Sequence, residues 1–245
     1  MKHYGLIGKT LKHSFSKKYF KEKFEQLQLT DHTYELYELD DIVEVDELRN
    51  KPGLSGFNIT LPYKEDIFPY LTSVEDNARK IGAVNVVKVK DNEFHGFNTD
   101  YFGFKESLKN WLAEKNNIRA LVLVTGGDAK AVSAALDTLD IDYLSISRAK
   151  SEKRLTYDSL TDSTLNAHKL IINTTPLGIA PDTESKPELP YQSITSAHYL
   201  YDLVYNPLET SFLKEGSIRG AKTKNGLEML YLQAEKSWEI WNEEL

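Results

Sequence analysis

The sequence predicts an α/β fold of two domains, and three observations predict it. From residue 120 onward, apolar runs at 120 to 125, 141 to 147, 169 to 173 and 198 to 204 are parted by helix-length or loop-length segments, the spacing of a parallel sheet with crossovers. Before residue 100 one pair of runs is joined by only the Asp91-Asn92 turn, while others are parted by helical patterns, so strands of both kinds are expected there. The length of 245 residues accommodates one domain, or two of about 100 to 150 residues each. A change of pattern near residue 100, not a linker, marks the boundary.

In chain order, Lys2 to Gly8 reads as a strand ending in glycine. Ser16 is then expected to cap a helix carrying Phe20, Phe24 and Leu27 on one face. His32 to Leu39 returns to strand-like composition, and Asp41 with Glu44 forms a capping box for Ile42 to Asn50. Leu54 to Ile59 is a third strand, stopped by Thr60-Leu61-Pro62, with Pro62 placed to begin a short helix. Ser73 and Asp76 suggest a capped helix running to Gly82, and Val84 to Lys90 pairs with Glu93 to Phe97 as a hairpin. Thr99 or Asp100 opens a helix whose inner face carries Phe104, Leu108, Trp111 and Leu112.

The stretch Ala120 to Leu136 then reads strand, Thr125-Gly126-Gly127 turn and helix, which is the opening of a nucleotide-binding βαβ unit. The regions 147 to 166 and 176 to 190 are expected to be long loops or short irregular helices. Leu227 to Trp241 is a strongly amphipathic helix with Leu227, Leu230, Ala234, Trp238 and Trp241 on one stripe.

Composition narrows the function. The 40% hydrophobic and 27% charged residues are those of a soluble globular protein. A net charge of −7 provides no global field for holding nucleic acid or an anionic membrane, so no nucleic-acid partner is expected and an anionic ligand needs a local site. The absence of cysteine removes disulfides, thiol catalysis, thiolate zinc sites and iron–sulfur clusters. The six histidines show no i, i+4 pair, and no metal is expected. No apolar run reaches the roughly 18 residues of a membrane span, and the opening MKHYGLIGKT has no signal-like core, so a cytoplasmic protein is expected.

Four segments place short polar residues beside glycine or proline, where backbone and side chain can approach a small polar ligand. They are His13-Ser14-Phe15-Ser16, the run GFNITLPYK at 56 to 64, Gly82-Ala83-Val84-Asn85, and GFNTD at 96 to 100. Taken singly, each has a structural reading: serine pairs cap helices, N-x-T makes turns, a lone lysine is solvated, and Asp after Thr starts a helix.

Together, in this order and spacing, they resemble the shikimate dehydrogenase family. The resemblance extends to Gly5-Leu6-Ile7-Gly8, Asn173-Thr174-Thr175-Pro176-Leu177-Gly178, the run YDLVYNP at 201 to 207, and KNGLEML at 224 to 230 with Gln233-Ala234. It implies an enzyme that reduces 3-dehydroshikimate with NADPH, with a substrate-binding and catalytic domain at 1–100 with 226–245. A Rossmann-like NADP-binding domain at 101–225 lies between, and the C-terminal helix packs back on the first domain. By the same match, Lys64 and Asp100 are the catalytic pair, Ser14, Ser16 and Tyr205 face the substrate carboxylate, and Thr60, Asn85 and Gln233 face its ring hydroxyls. The match also implies that Thr125, Gly126, Gly127, Ala129, Arg148, Thr174 and Gly226 contact NADP. A small-molecule substrate and a monomer or homodimer are implied.

The residue types suit the chemistry. Hydride reaching a ketone carbon leaves charge on oxygen, which a donor must protonate; Lys64 can do this. A free lysine titrates near 10.4, so desolvation would have to lower it, whereas an ionised Asp100 would raise it.

The cofactor end is less regular. At the three marked places of a G-x-G-x-x-G/A fingerprint stand Val124, Gly126 and Ala129. A β-branched residue where the turn needs glycine is expected to cost about 1 to 3 kcal/mol or to block the pyrophosphate. Asp128, in the first helical turn, stabilises the helix by about 0.3 to 1 kcal/mol but competes with a bound phosphate for the same N–H groups. Arg148 lies 22 residues after Gly126, where a cation favours NADP over NAD; Glu152 holds the place of a second cation, with Lys150, Lys153 and Arg154 beside it. Two alternatives follow: a non-catalytic shikimate-binding or regulatory homologue without the dinucleotide site, and an enzyme for quinate or NAD.

Overall fold

In a computed structural model, which describes residues 1–11, 14–112, 117–124, 126–148 and 154–244, the chain forms two compact units, Met1–Thr99 with Gln233–Leu245, and Asp100–Leu232. The division falls inside the last helix, because Met229 is buried in the core of the second unit while Ala234 is buried in that of the first.

The first unit contains β1 (Lys2–Gly8), α1 (Phe15–Gln26), β2 (His32–Glu38), a 3-10 helix at Ile42–Asn50, β3 (Leu54–Ile59), β4 (Ser73–Val74), α2 (Asp76–Ile81), β5 (Val86–Lys90) and β6 (Glu93–Phe97). They build one six-stranded mixed sheet of order β2-β1-β3-β5-β6-β4. β1 runs parallel to β2 and β3, whereas β3 and β5, and β5 and β6, are antiparallel. The β5–β6 hairpin closes Lys90 onto Glu93 through Asp91 and Asn92, both at positive φ, the backbone a two-residue hairpin turn requires.

Side-chain alternation sorts the core into two layers. Tyr4, Leu6, Tyr34 and Val86 face Phe20 and Phe24 of α1, and Ile7, Phe57, Ile59, Val87 and Phe94 face Val45, Leu48, Ile67 and Ala78. The last helix, α7 (Leu227–Asn242), adds Ala234, Ile240 and Trp241 to the first layer. Its C-terminal turn is anchored twice. The Trp241 indole donates to the Val87 carbonyl at 3.0 Å, over Gly56, where a Cβ would overlap the indole. Buried Lys88 donates to the Ile240 carbonyl at 3.0 Å and to that of Glu243, capping the negative end of the helix. Burial pushes the Lys88 pKa down, against the pull of Glu243.

Several local expectations are corrected here. Ser14, not Ser16, is the N-cap of α1, accepting from the Lys17 amide at 3.4 Å; Ser16 lies in the first turn. Leu27 is exposed, because α1 ends at Gln26. Residues 61 to 67 form turns instead of a helix begun by Pro62, since the Lys64 carbonyl accepts from Val84 N at 2.8 Å instead of closing a helical turn. Ser73 belongs to β4, and Glu75 caps α2 by accepting from Ala78 N at 3.1 Å.

The second unit contains α3 (Thr99–Trp111, beginning one residue earlier), β7 (Ala120–Leu123), α4 (Gly126–Thr138), β8 (Tyr143–Ser147), β9 (Arg154–Thr156), α5 (Asp162–Ala167), β10 (Leu170–Asn173), β11 (Tyr199–Asp202), α6 (Ser211–Ile218) and β12 (Lys222–Lys224). All its strands are parallel, in the order β12-β11-β10-β7-β8-β9. This is the doubly wound dinucleotide-binding order, whose direction reverses between β7 and β10; ligands of such sheets bind outside the strand ends at that point.

Val124 carries no strain. Its amide extends the β7–β8 ladder by donating to the Ile146 carbonyl at 2.8 Å, and its side chain is 7% exposed in the same core as Val122, Ala129 and Val132. Among the described residues of the turn, the left-handed backbone falls on Gly126, with φ 68°. The expected cost of a β-branched residue is therefore absent: Val124 ends the strand before the turn begins.

Candidate active site

In the first unit, the segments after β1 and β3 and before β5 are tied by backbone bonds. Thr60 N donates to the Ile7 carbonyl at 2.9 Å, Ile59 N to the Asn85 carbonyl at 2.8 Å, and Val84 N to that of Lys64 at 2.8 Å. Lys64 and Asn85, 21 positions apart in sequence, are brought together in this way. Lys64 is 8% exposed, unusually low for a lysine.

Asn85 is locked to the start of α3. Its carbonyl oxygen accepts from Thr99 N at 2.7 Å and its amide donates to Thr99 Oγ1 at 3.0 Å, which fixes the orientation of the amide. Thr99 Oγ1 also lies 3.4 Å from Gln233 Oε1 on α7. Ser16 hydrogen-bonds the phenol of Tyr34, while Ser14 and Thr60 are half-buried. Asp100, 8% exposed, stands in the first turn of α3, and belongs with Tyr205 to the second unit.

In the second unit, the segments after β7, β10 and β11 are joined around a buried carboxylate. Asp202 accepts from Asn173 Nδ2 at 2.9 Å, from Val204 N at 3.1 Å and from the Thr210 hydroxyl at 2.6 Å. Thr174 is held against β7 by bonds from its amide and hydroxyl to the Leu123 carbonyl, at 3.1 and 2.7 Å. Burial also raises the Tyr205 pKa.

Burial dominates over the three hydrogen bonds at Asp202 and pushes its pKa from 3.8 up to about 6. A carboxyl with a raised folded pKa gives stability that is fully present below the unfolded value and lost as pH rises through the folded one. The stability of the parent relative to Asp202→Asn should therefore fall from about pH 3.8 to about 6, approaching 1.4 kcal/mol per unit, and stay flat above. Urea unfolding of both proteins at several pH values checks this; a pH-independent difference contradicts it.

Gly126 and Gly127 open α4, a helix of 13 residues, and a Cβ on Gly126 would meet nothing within 4 Å, so the space in front of this turn is open within the unit. Ala129 packs inward at 6% exposure. Arg148 is exposed just after β8. Thr125, Lys150, Glu152 and Lys153 lie outside the described residues, as does His13; Arg154 opens β9. Gly226 has a packing reason to be glycine: a Cβ there would be driven into the Leu203 carbonyl.

The residues present fit a dinucleotide. An open glycine turn at a helix N-terminus, at the reversal of strand order, is where pyrophosphate amide contacts are made, and Arg148 follows the second strand. Among the described residues, Asp128 in the first turn of α4 has the opposite tendency. Among the described residues no group of three or more His, Cys, Asp or Glu could hold a metal ion, and no helix is long and apolar enough to cross a membrane.

Residue-by-residue reading leaves Tyr34, Asn58, Thr99, Ser237, Asp202 and Thr210 without a role, although all six are buried and hydrogen-bonded. One of them carries a local signal: Ser237 follows Gln233 by one helical turn.

Residues 6–87 match the model of the shikimate dehydrogenase substrate binding domain. The shikimate dehydrogenase (NADP(+)) of Clostridium beijerinckii is 38% identical over 254 residues, covering 99% of this chain and 93% of that protein. The crystal structure of shikimate dehydrogenase from Aquifex aeolicus superposes with a TM-score of 0.88 at 32% identity, over 99% of this chain and 92% of that one. That of shikimate 5-dehydrogenase from Thermus thermophilus, in complex with NADP(H) and shikimate, gives 0.86 at 29% identity, over 100% and 95%. The mixed sheet with its polar cluster, the doubly wound sheet and these full-length relatives agree: the chain belongs to the shikimate dehydrogenase family.

Proposed function

We propose that the chain catalyses the reversible NADPH-dependent reduction of 3-dehydroshikimate to shikimate, a step of chorismate and aromatic amino-acid biosynthesis. The observation that carries this reading is that the backbone bond from Val84 N to the Lys64 carbonyl sets a nearly buried lysine, Lys64, beside the segment of Asn85, whose amide is locked by Thr99. Such a cluster suits a polyhydroxylated ring, because each buried group left unpaired by an analogue lacking a hydroxyl penalises that analogue.

The chemistry that NADPH supplies when bound is hydride transfer. Lys64 protonates the developing alkoxide in reduction and takes the proton back in oxidation, with Asp100 as its partner. Ser14, Ser16 and Tyr205 bind the carboxylate, and Thr60, Asn85 and Gln233 bind the ring hydroxyls. Most of these substrate-facing residues belong to the first unit, and the second holds NADP along Gly126, Gly127, Ala129, Arg148 and Thr174, with Thr125 and Gly226 beside them. The working form is a cytoplasmic monomer or homodimer. Formation of reduced cofactor from shikimate and NADP⁺ by the purified protein tests the reading; no turnover at millimolar cofactor removes it.

The two departures of the turn separate experimentally. Asp128→Ala removes a charge that opposes the pyrophosphate and should lower the KM for NADP⁺ by roughly three- to tenfold. Val124→Gly empties a core position and should cost about 2 kcal/mol of stability without lowering that KM. The opposite assignment of the two effects would return Val124 to the role of obstructing side chain.

A further inference from the structure

We propose that Ser237 is a positioning residue of the substrate site, a single buried hydroxyl that fixes the rotamers of Asn58 and Thr99 and, through Thr99, of Asn85. The proposal rests on the reading that Asn85 faces the substrate ring. Ser237 is fully buried, so it acts through its neighbours.

A serine hydroxyl has one proton and two lone pairs. The proton of Ser237 goes to the Gln233 carbonyl at 2.8 Å, one turn back along α7. One lone pair accepts from Asn58 Nδ2 at 3.1 Å. The other faces Thr99 Oγ1 at 3.3 Å, and with the serine proton committed, threonine is the donor there. The hydroxyl is thus fully used, and each bond reaches a different element: α7 itself, β3 and the start of α3.

The chain continues at both ends. Thr99 Oγ1 accepts from Asn85 Nδ2 at 3.0 Å. Asn58 Oδ1 accepts from the Tyr34 phenol at 2.8 Å, and Tyr34 bonds Ser16. Two residues read as facing the substrate, Ser16 and Asn85, therefore terminate one buried network, with Ser237 at its crossing.

Loss of the hydroxyl should disturb rotamers more than docking. The α7 turn that follows Ser237 keeps the Trp241 bond to Val87 and the Lys88 bonds to Ile240 and Glu243. In Ser237→Ala, Asn58 Nδ2 loses its 3.1 Å acceptor and keeps the 3.5 Å approach to the Asn85 carbonyl, toward which it is expected to turn.

The test is a KM-against-kcat split. In Ser237→Ala the KM for shikimate, and its Kd by calorimetry, should rise roughly tenfold, with kcat within about threefold and the KM for NADP⁺ unchanged. Ser237→Cys, which keeps the side-chain shape with a somewhat larger sulfur that donates and accepts weakly, should show the same direction and serves if the alanine variant does not fold. Ser107→Ala, an equally buried serine bonded to Tyr201 at 3.0 Å in the second unit, should leave the shikimate KM unchanged. An unchanged KM and Kd in both Ser237 variants, or an equal rise in Ser107→Ala, overturns the proposal. A parent that neither binds nor turns over shikimate overturns the functional reading and this proposal together, whereas a responsive parent with unresponsive Ser237 variants overturns this proposal alone.

Discussion

Lys64→Ala is expected to lower kcat for shikimate oxidation by roughly 10² to 10⁴-fold, the range a positioned general acid or base contributes, while the protein stays folded. The fold should survive because the Lys64 segment is tied by its backbone: its carbonyl accepts from Val84 N at 2.8 Å, and the Ile59 amide is bonded to the Asn85 carbonyl at 2.8 Å, neither of which needs the side chain. Shikimate affinity should change far less than kcat, since Asn85, proposed to face the ring hydroxyls, keeps its bonds to Thr99. Steady-state kinetics with calorimetric binding and far-UV circular dichroism check all three points. A variant that keeps kcat within a few-fold would remove Lys64 from the proton path.

Gly226→Ala is expected to be the most damaging of the small substitutions, costing about 3 kcal/mol. The added methyl would meet the Leu203 carbonyl, which is backbone and cannot swing aside as a side-chain end would. Gly226 N donates to the Val204 carbonyl at 3.2 Å and the Gly226 carbonyl accepts from Leu230 N at 2.9 Å, so moving the residue also disturbs the start of α7 and the segment leading to Tyr205. Gly126→Ala is the contrast: open space surrounds its Cβ, and only the φ of 68° opposes it, which costs about 1 to 2 kcal/mol. Urea unfolding of both variants should rank Gly226→Ala as clearly the less stable; equal losses would mean that the α7 start shifts freely.

Elements with local punctuation were legible in the sequence. β1, β3 and β6 occupy the residues their alternation and flanking glycines or turns indicate, Lys2–Gly8, Leu54–Ile59 and Glu93–Phe97. β4, β9 and β12 were not, because strands of two or three residues exist only through the neighbour they pair with, and RLT or KTK carries no apolar run. The cap of α1 was misplaced by two residues within a Ser-Phe-Ser triplet whose hydroxyls look alike from sequence. Val124 shows a similar limit: it stands at a fingerprint position, but the strand ladder runs one residue further, to Ile146, and the turn begins after it.

The site divides in the same way. Lys64, Asn85, Asp100 and Gln233 stand out because each sits in a recognisable run, whereas the Tyr34–Asn58–Ser237–Thr99 network depends on contacts spanning up to 179 positions and has no run of its own. Asp202 is visible only as one letter of YDLVYNP until its three bonds show that it joins the segments after β10 and β11.

The central claim is that this chain is a working NADP-dependent shikimate dehydrogenase despite Asp128 in the first turn of α4. Initial rates of cofactor reduction, with shikimate and NADP⁺ varied against each other and with quinate and NAD⁺ as alternates, test it most directly. Saturable turnover that prefers shikimate and NADP⁺ and is lost in Lys64→Ala is the expected result; shikimate binding with no turnover at millimolar NADP⁺ would contradict it.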